Sequence, residues 1–220
     1  MQGPAQQMIE IVIADDHSLT REGLKIRVSK EAIDLKVVDE ASDAAELAKI
    51  LARKPPDIVV LDISLPDKNG LDVLKHIKIN YPSVEVIILS MHPEERYGIR
   101  AYKAGASGYL SKDNENLSRE LIKAVRMIVT QNRRYVNQKV ASQLAEYIHN
   151  TNSRKYRKLS DREFQVFCLI ASGKKTADVA KELSVSVQTV YTYRNRAKEK
   201  LNLETTADFT KYALQHNLID

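Results

Sequence analysis

Three carboxylates, one hydroxyl and one ammonium stand where apolar runs of the chain break off. Asp15 and Asp16 follow Ile9–Ala14, Asp62 ends the run Ile58-Val59-Val60-Leu61, Ser90 ends Val84–Leu89, and Lys112 follows Gly108–Ser111. Clustered carboxylates repel one another, and a hard divalent cation such as Mg2+ relieves that repulsion through oxygen ligands. A carboxylate so placed can act as nucleophile toward a phosphoryl donor. Metal and ammonium then stabilise the equatorial oxygens, where charge develops during transfer. A hydroxyl can hydrogen-bond the phosphoryl oxygen afterwards. The chain has no Gly-rich phosphate loop, which argues against a Walker-type nucleotide site. Taken singly, each residue has a plainer reading: Asp62 as a turn cap, Asp15 and Asp16 as caps of the next helix, His17 as a helix-start residue, Ser90 as a turn residue, Tyr109 as packing. Only their conjunction points to chemistry.

The elements that must position these groups can be read from periodicity. Ile58–Leu61 is a continuous apolar run, the pattern of a strand buried on both faces of a parallel sheet. Ile9–Ala14, Leu35–Val38, Val84–Leu89 and Gly108–Ser111 read as further strands. Between them lie helical stretches from about His17 to Lys30, Ser42 to Arg53, Gly70 to Asn80, Pro93 to Ala104 and Glu115 to Val129. Ser42 is the expected N-cap of the second, Pro93 an N1-like residue of the fourth, and Gly105 its stop. Five strand–helix alternations predict a doubly wound, five-stranded parallel sheet. In such folds sites form beyond the carboxyl ends of the strands, so the five polar groups are expected at one edge.

Residues 9–130 resemble a receiver domain of a two-component response regulator. The resemblance is carried by the acidic pair Asp15-Asp16, the lone Asp62, Ser90 and Lys112 in order, with the Leu65-Pro66…Asn69-Gly70 loop and Ala104-Gly105-Ala106. It implies a flavodoxin-like α/β fold in which Asp62 accepts a phosphoryl group from a sensor histidine kinase. It further implies Mg2+ bound by Asp16, Asp62 and the Ser64 carbonyl, with Asp15 ordering a metal-bound water. Ser90 and Tyr109 would be the switch pair, and Lys112 would contact the phosphoryl group. Asp113 stands where many receivers have proline after the lysine.

Charge marks the other end of the chain as different. Residues 1–150 hold 21 Lys and Arg against 21 Asp and Glu, residues 151–220 hold 13 against 8, and the net +5 therefore sits in the last third. A local basic excess suits a polyanion partner. The single cysteine, Cys168, forms no internal disulfide and lies in an apolar helical pattern, so a buried thiol is expected. No apolar run approaches the length of a membrane helix, and residues 1–7 lack a signal-peptide pattern; a cytoplasmic protein without a membrane partner is expected. Between the two regions, residues 131–158 read as a linker: a short amphipathic helix with Val140, Leu144, Tyr147 and Ile148 on one face, then a flexible polar tether.

In the last third, Leu159-Ser160-Asp161-Arg162-Glu163 is a capping box, with Ser160 at N-cap and Glu163 at N3. Its helix runs to about Gly173. A second spans Thr176–Leu183, and Ser184-Val185-Ser186 turns into a third, Val187–Leu201; a fourth covers Thr206–His216. Two short helices joined by a tight turn, the second basic, suit a helix-turn-helix. Val190, Ala197 and Leu201 fall on one face of the third helix; Gln188, Tyr191, Thr192 and Asn195 fall on the other, toward the end that enters a major groove. Arg194, Arg196, Lys198 and Lys200 flank it, suited to phosphates, and Lys174 and Lys175 can add backbone contacts. The motif Leu159-Ser160-x-Arg162-Glu163, with Ala171-x-Gly173, Val179-Ala180-x-x-Leu183-x-Val185-Ser186-x-x-Thr189-Val190 and Lys200-Leu201, resembles the LuxR-type helix-turn-helix. Tyr191 and Tyr193 depart from that family's usual Lys and His.

The whole resembles the NarL/FixJ family: a receiver over residues 8–130, a linker, and an all-α helix-turn-helix domain over 159–220. The implied function is that of a phosphorylation-controlled transcription regulator, not an enzyme, binding double-stranded DNA as a homodimer when phosphorylated. Two other readings stand beside it. One is a phosphate-independent DNA-binding regulator whose receiver only dimerises. The other is an aspartyl-phosphate phosphatase, against which Ser64 occupies the place, two residues after Asp62, where a general-acid Asp is needed.

Overall fold

The structure is a computed structural model and describes residues 8–92, 94–137, 140–142 and 155–219. The chain divides into two compact units, Met1–Leu144 and Ala145–Asp220.

In the first unit the elements alternate as β1 (Ile9–Ala14), α1 (Ser18–Glu31), β2 (Leu35–Ala41), α2 (Ala44–Arg53), β3 (Ile58–Asp62), α3 (Gly70–Asn80), β4 (Glu85–Ser90), α4 (Glu94–Ala104), β5 (Gly108–Ser111) and α5 (Leu117–Gln131). All pairings are parallel and the strand order is β2-β1-β3-β4-β5. This is the expected doubly wound sheet. Every residue of β3 is buried, as its unbroken apolar run requires. Ile11, Ile13, Ile58, Val60, Ile87 and Leu89 face Leu24 and Val28 of α1 and Leu121, Val125 and Ile128 of α5. Their alternates Val12, Val59, Leu61, Val86 and Ile88 are equally buried and point to the opposite side, where right-handed crossovers put α2, α3 and α4. The order reverses between β1 and β3, which opens a crevice beyond their carboxyl ends.

Several boundaries differ from the sequence reading. β2 runs three residues beyond Val38, because pairing with β1 carries it to Ala41 through a register shift. The N-cap of α2 is Asp43, not Ser42: the Asp43 side chain accepts from the Glu46 amide at 2.7 Å, while Ser42 bonds Glu46 Oε2. A carboxylate at that position also complements the helix dipole. On α1, Leu19 is 82% exposed, so the apolar residues there do not all face the core. Pro93 and all of the expected linker helix beyond residues 140–142 lie outside the described residues. Within residues 131–137 the chain stays on the first unit. Tyr135 forms a parallel bridge to Gly108, its amide donating to the Ser107 carbonyl at 2.7 Å.

Over its described residues the second unit is all helical: α6 (Asp161–Ala171), α7 (Thr176–Glu182), α8 (Val187–Leu201) and α9 (Thr206–Gln215). Phe164, Phe167, Val179, Val190, Leu201 and Phe209 form its buried core, with the Phe167 and Phe209 rings 4.9 Å apart. Lys155–Lys158 form a turn of 3-10 helix, and Tyr156 lies against Phe164 and His216, so the end of the expected tether is packed. Cys168 is buried, as its setting in α6 implied.

The capping box of α6 is complete: Ser160 Oγ accepts from the Glu163 amide, and Glu163 Oε2 accepts from the Ser160 amide at 2.7 Å. Glu163 Oε2 also pairs with Lys200 Nζ at 2.6 Å. Burial works to raise the Glu163 carboxyl, but the Lys200 and Ser160 bonds outweigh it and hold it below the ordinary value of 4.5. Its stabilising contribution is therefore full above that value and is lost as pH falls through the lowered one. We expect Ser160→Ala to cost about 1 kcal/mol, read by thermal unfolding of the second unit. Lys200→Met should reduce the loss of stability on acidification below pH 4.5.

Candidate functional site

The carboxyl edge of the sheet collects Asp15, Asp16, Asp62, Ser90 and Lys112. Asp15 (0% exposed), Asp62 (2%) and Ser90 (0%) are buried. Lys112 Nζ lies 2.7 Å from Asp62 Oδ2 and 2.7 Å from Asp15 Oδ2. The ammonium thus bridges the two carboxylates, and Asp15 Oδ2 is fully enclosed. Asp62 Oδ1 accepts from the Ser64 amide at 3.0 Å, and Asp15 Oδ1 accepts from the His17 amide at 2.9 Å. Burial pushes the Asp62 carboxyl above its ordinary value of 3.8, Lys112 pulls it back, and Asp15 adds to the rise. Burial also opposes the Lys112 ammonium, but Asp62 and Asp15 together outweigh that and hold it charged. Two buried carboxylates thus share one ammonium, and the excess is negative.

Asp16 is more exposed and completes an acidic rim. Asp15, Asp16, Asp62 and His17 each offer one ligand atom within 4.8 Å of the others. His17 is the N-cap residue of α1 but makes no side-chain cap bond. Its Nδ1 lies 2.7 Å from Asp16 Oδ1 and 3.1 Å from Asp15 Oδ1. The sequence placed it at the helix start without showing that its ring turns back onto the acids.

The local structure explains how Asp62 is held. Gly70 N donates to the Ile63 carbonyl at 2.8 Å, and a Cβ on Gly70 would stand 2.2 Å from the Asp62 carbonyl oxygen. Only glycine lets α3 begin so close to the end of β3. Asn69 caps α3 through the Leu71 amide, and Asp67 accepts from the Ala44 and Ala45 amides of α2. The turn residues of Leu65–Gly70 therefore tie the Asp62 loop to two helix N-termini.

Ser90 and Tyr109 meet through His92. Ser90 Oγ accepts from the His92 amide at 3.1 Å, and the Tyr109 hydroxyl donates to the His92 carbonyl at 2.8 Å. Tyr109 is 1% exposed, so its ring faces inward. The His92 ring stacks on Tyr97 of α4. Farther along α4, the Tyr102 hydroxyl lies 2.7 Å from the Tyr135 carbonyl and 3.1 Å from Glu94 Oε1, and Asn137 donates to Glu94 Oε2. Burial and the Glu94 charge push the Tyr102 phenol well above its ordinary range. These contacts join residues up to 43 positions apart, and no local pattern marks them.

On the second unit, α8 exposes Gln188, Tyr191, Thr192 and Asn195 on one side, opposite buried Val190, Ala197 and Leu201. Lys174, Lys175 and Arg196 are exposed and Lys198 is half-buried. Arg194 is turned away from that side: its Nη2 donates to Thr206 Oγ1 at 2.9 Å. Val187, which the sequence reading passed over, is 43% exposed beside Tyr191.

Residues 11–126 match the response regulator receiver domain, and residues 157–213 match the bacterial regulatory proteins of the luxR family. The chain belongs to the NarL/FixJ family of response regulators. It is 33% identical over 220 residues to the oxygen regulatory protein NreC of Staphylococcus carnosus, covering 96% of this chain and 100% of the relative. It is 32% identical over 213 residues to the response regulator UvrY of Escherichia coli, covering 96% of each. Among solved structures, the RcsB response regulator of Salmonella typhimurium superposes with a TM-score of 0.57 at 25% identity, covering 95% of this chain and 99% of that one. As a member of this family the protein is a phosphorylation-controlled, DNA-binding transcription regulator. No described helix is long and apolar enough to cross a membrane.

Because ionised Asp62 is held against its burial, its charge destabilises the fold above its raised pKa, and that penalty disappears as pH falls toward 3.8. Asp62→Asn, melted without divalent cations, should unfold at a temperature about 3 °C higher at pH 7, roughly 1 kcal/mol. The gain should vanish near pH 4.

Proposed function

We propose that Asp62 is the phosphoacceptor and that Asp16, Asp62 and the Ser64 carbonyl hold Mg2+, with Asp15 ordering a metal-bound water. The observation that carries this reading is the excess of buried negative charge around Lys112, whose one ammonium is shared by Asp15 and Asp62. An all-oxygen set suits Mg2+, which keeps part of its water shell and needs only one or two carboxylates. When bound, the ion supplies charge neutralisation of the phosphoryl oxygens.

In the step itself an Asp62 carboxylate oxygen attacks the phosphorus of a phosphohistidine on a sensor kinase. The P–N bond breaks, its electron pair goes to the imidazole nitrogen, and an acyl phosphate forms on Asp62. Lys112 stays charged and turns from pairing carboxylates to pairing the phosphoryl group. Ser90, 0% exposed beside Asp62 on the neighbouring strand, exchanges the His92 amide for a phosphoryl oxygen. The Tyr109 hydroxyl shares that His92 link, so movement of Ser90 reaches the ring directly. Tyr102, Glu94 and Asn137 extend the contacts from α4 to the chain after α5. The phosphorylated protein dimerises and binds duplex DNA through α8, with Lys174, Lys175, Arg196 and Lys198 on phosphates. It works in the cytoplasm and turns over no separate substrate.

Asp62→Asn should abolish labelling by a small phosphodonor with Mg2+ and remove the phosphodonor-dependent gain in DNA affinity, measured by fluorescence anisotropy. Labelling that survives in the variant would sink the assignment. Equal DNA affinity of the wild-type chain with and without phosphodonor would favour a phosphate-independent regulator instead. Lys112→Met should leave two uncompensated carboxylates in the pocket, costing about 3 kcal/mol, with part of the loss restored by Mg2+ in the same melt.

A further inference from the structure

The reading face of α8 has an unusual chemistry for a nucleic-acid helix. Through its first nine residues the exposed side chains are Val187, Gln188, Tyr191, Thr192 and Asn195. At 100° per residue they fill one arc of about 140°. No Lys, Arg or His lies among them. Arg194 lies outside the arc, at its edge, and its Nη2 donates to Thr206 Oγ1 on α9. Val187 and Tyr191, one turn apart, are each 43% exposed. The Thr192 hydroxyl donates back to the Gln188 carbonyl at 3.0 Å, so Thr192 offers its methyl group outward. The Thr189 hydroxyl is likewise held, 2.7 Å from Ser186 Oγ at the helix cap.

Base edges differ in what they ask of such a surface. Guanine is read chiefly by Arg or Lys on O6 and N7, adenine by Asn or Gln on N6 and N7, and thymine by apolar contact with its methyl group. Residues at the N-terminal end of a recognition helix make these contacts. Through these nine residues the arc holds two amides and three apolar or methyl surfaces, and nothing that pairs guanine in the usual bidentate way; Lys198 shares the arc only one turn nearer the C-terminus.

We propose that the duplex site is specified by A·T pairs beneath α8, thymine methyls packing on Val187, Tyr191 and Thr192 and adenine edges pairing with Gln188 and Asn195. The proposal rests on the DNA-binding reading of this helix and adds what that helix selects. The exposed cations at Lys174, Lys175 and Arg196 then contribute phosphate affinity that is indifferent to sequence.

The test is selection from random duplexes with the full chain, in the presence of Mg2+ and a small phosphodonor. The selected duplex is then remade with uracil in place of each thymine under the helix. A·T pairs should dominate the half-sites, and each contacted methyl removed should weaken binding about fourfold. Val187→Ala should shrink the uracil effect at one position while the melting of the second unit is unchanged. Guanine fixed beneath the helix would overturn the proposal. So would A·T half-sites whose uracil forms bind as well as their thymine forms, since selection would then rest on duplex shape. If no duplex is retained, the DNA-binding reading falls and this one falls with it.

Discussion

The buried Lys112 ammonium between Asp62 and Asp15 is the contact on which the receiver depends. It draws together the ends of β1, β3 and β5, and it leaves the pocket one negative charge in excess. A pocket neutral at rest would have little affinity for a cation or a reason to respond to one. A pocket without the ammonium would carry two uncompensated buried carboxylates, each several kcal/mol unfavourable. The observed balance lies between these, with one ammonium for two buried carboxylates.

Around that contact, rigidity is unevenly distributed. Asp62 is held from behind by an all-buried strand, from beside by Ser64, and from in front by the close approach of Gly70. The readout side is held more lightly. Ser90 and Tyr109 both bond His92, at the turn after β4. The same turn leads into α4, whose Glu94 and Tyr102 grip the chain leaving α5. In the proposed transfer, a phosphoryl group that takes Ser90 from His92 would act on a backbone segment already in contact with the chain leaving α5.

The fold was largely legible because burial writes a local signature. Unbroken apolar runs marked β3 and β4, the Ser160–Glu163 spacing marked α6, and helical periodicity marked α8 and its buried face. The misreadings have equally physical causes. Asp43 caps α2 instead of Ser42 because two adjacent residues of capping type cannot be ranked without knowing which one the chain turns on. β2 continues past Val38 because its length is set by pairing with β1, a neighbour more than twenty residues away. The ring of His17 joined to the acids, and the grip of Glu94 on Asn137, involve contacts with no periodic trace.

By itself the sequence determined which polar groups end which strands and which residues line the outer face of α8. Those properties follow from alternation and helical spacing, both local. Only the tertiary structure decided that β1 lies beside β3, so that Asp15 and Asp62 share one lysine fifty residues downstream of Asp62. It also decided that Arg194 donates to Thr206 on α9. Convergence at an edge and the direction of a long side chain are settled by strand order, register and neighbouring elements, and a linear pattern carries none of the three. Asp62, first visible as a polar residue closing an apolar run, owes its shared ammonium and its acidic neighbours to that convergence.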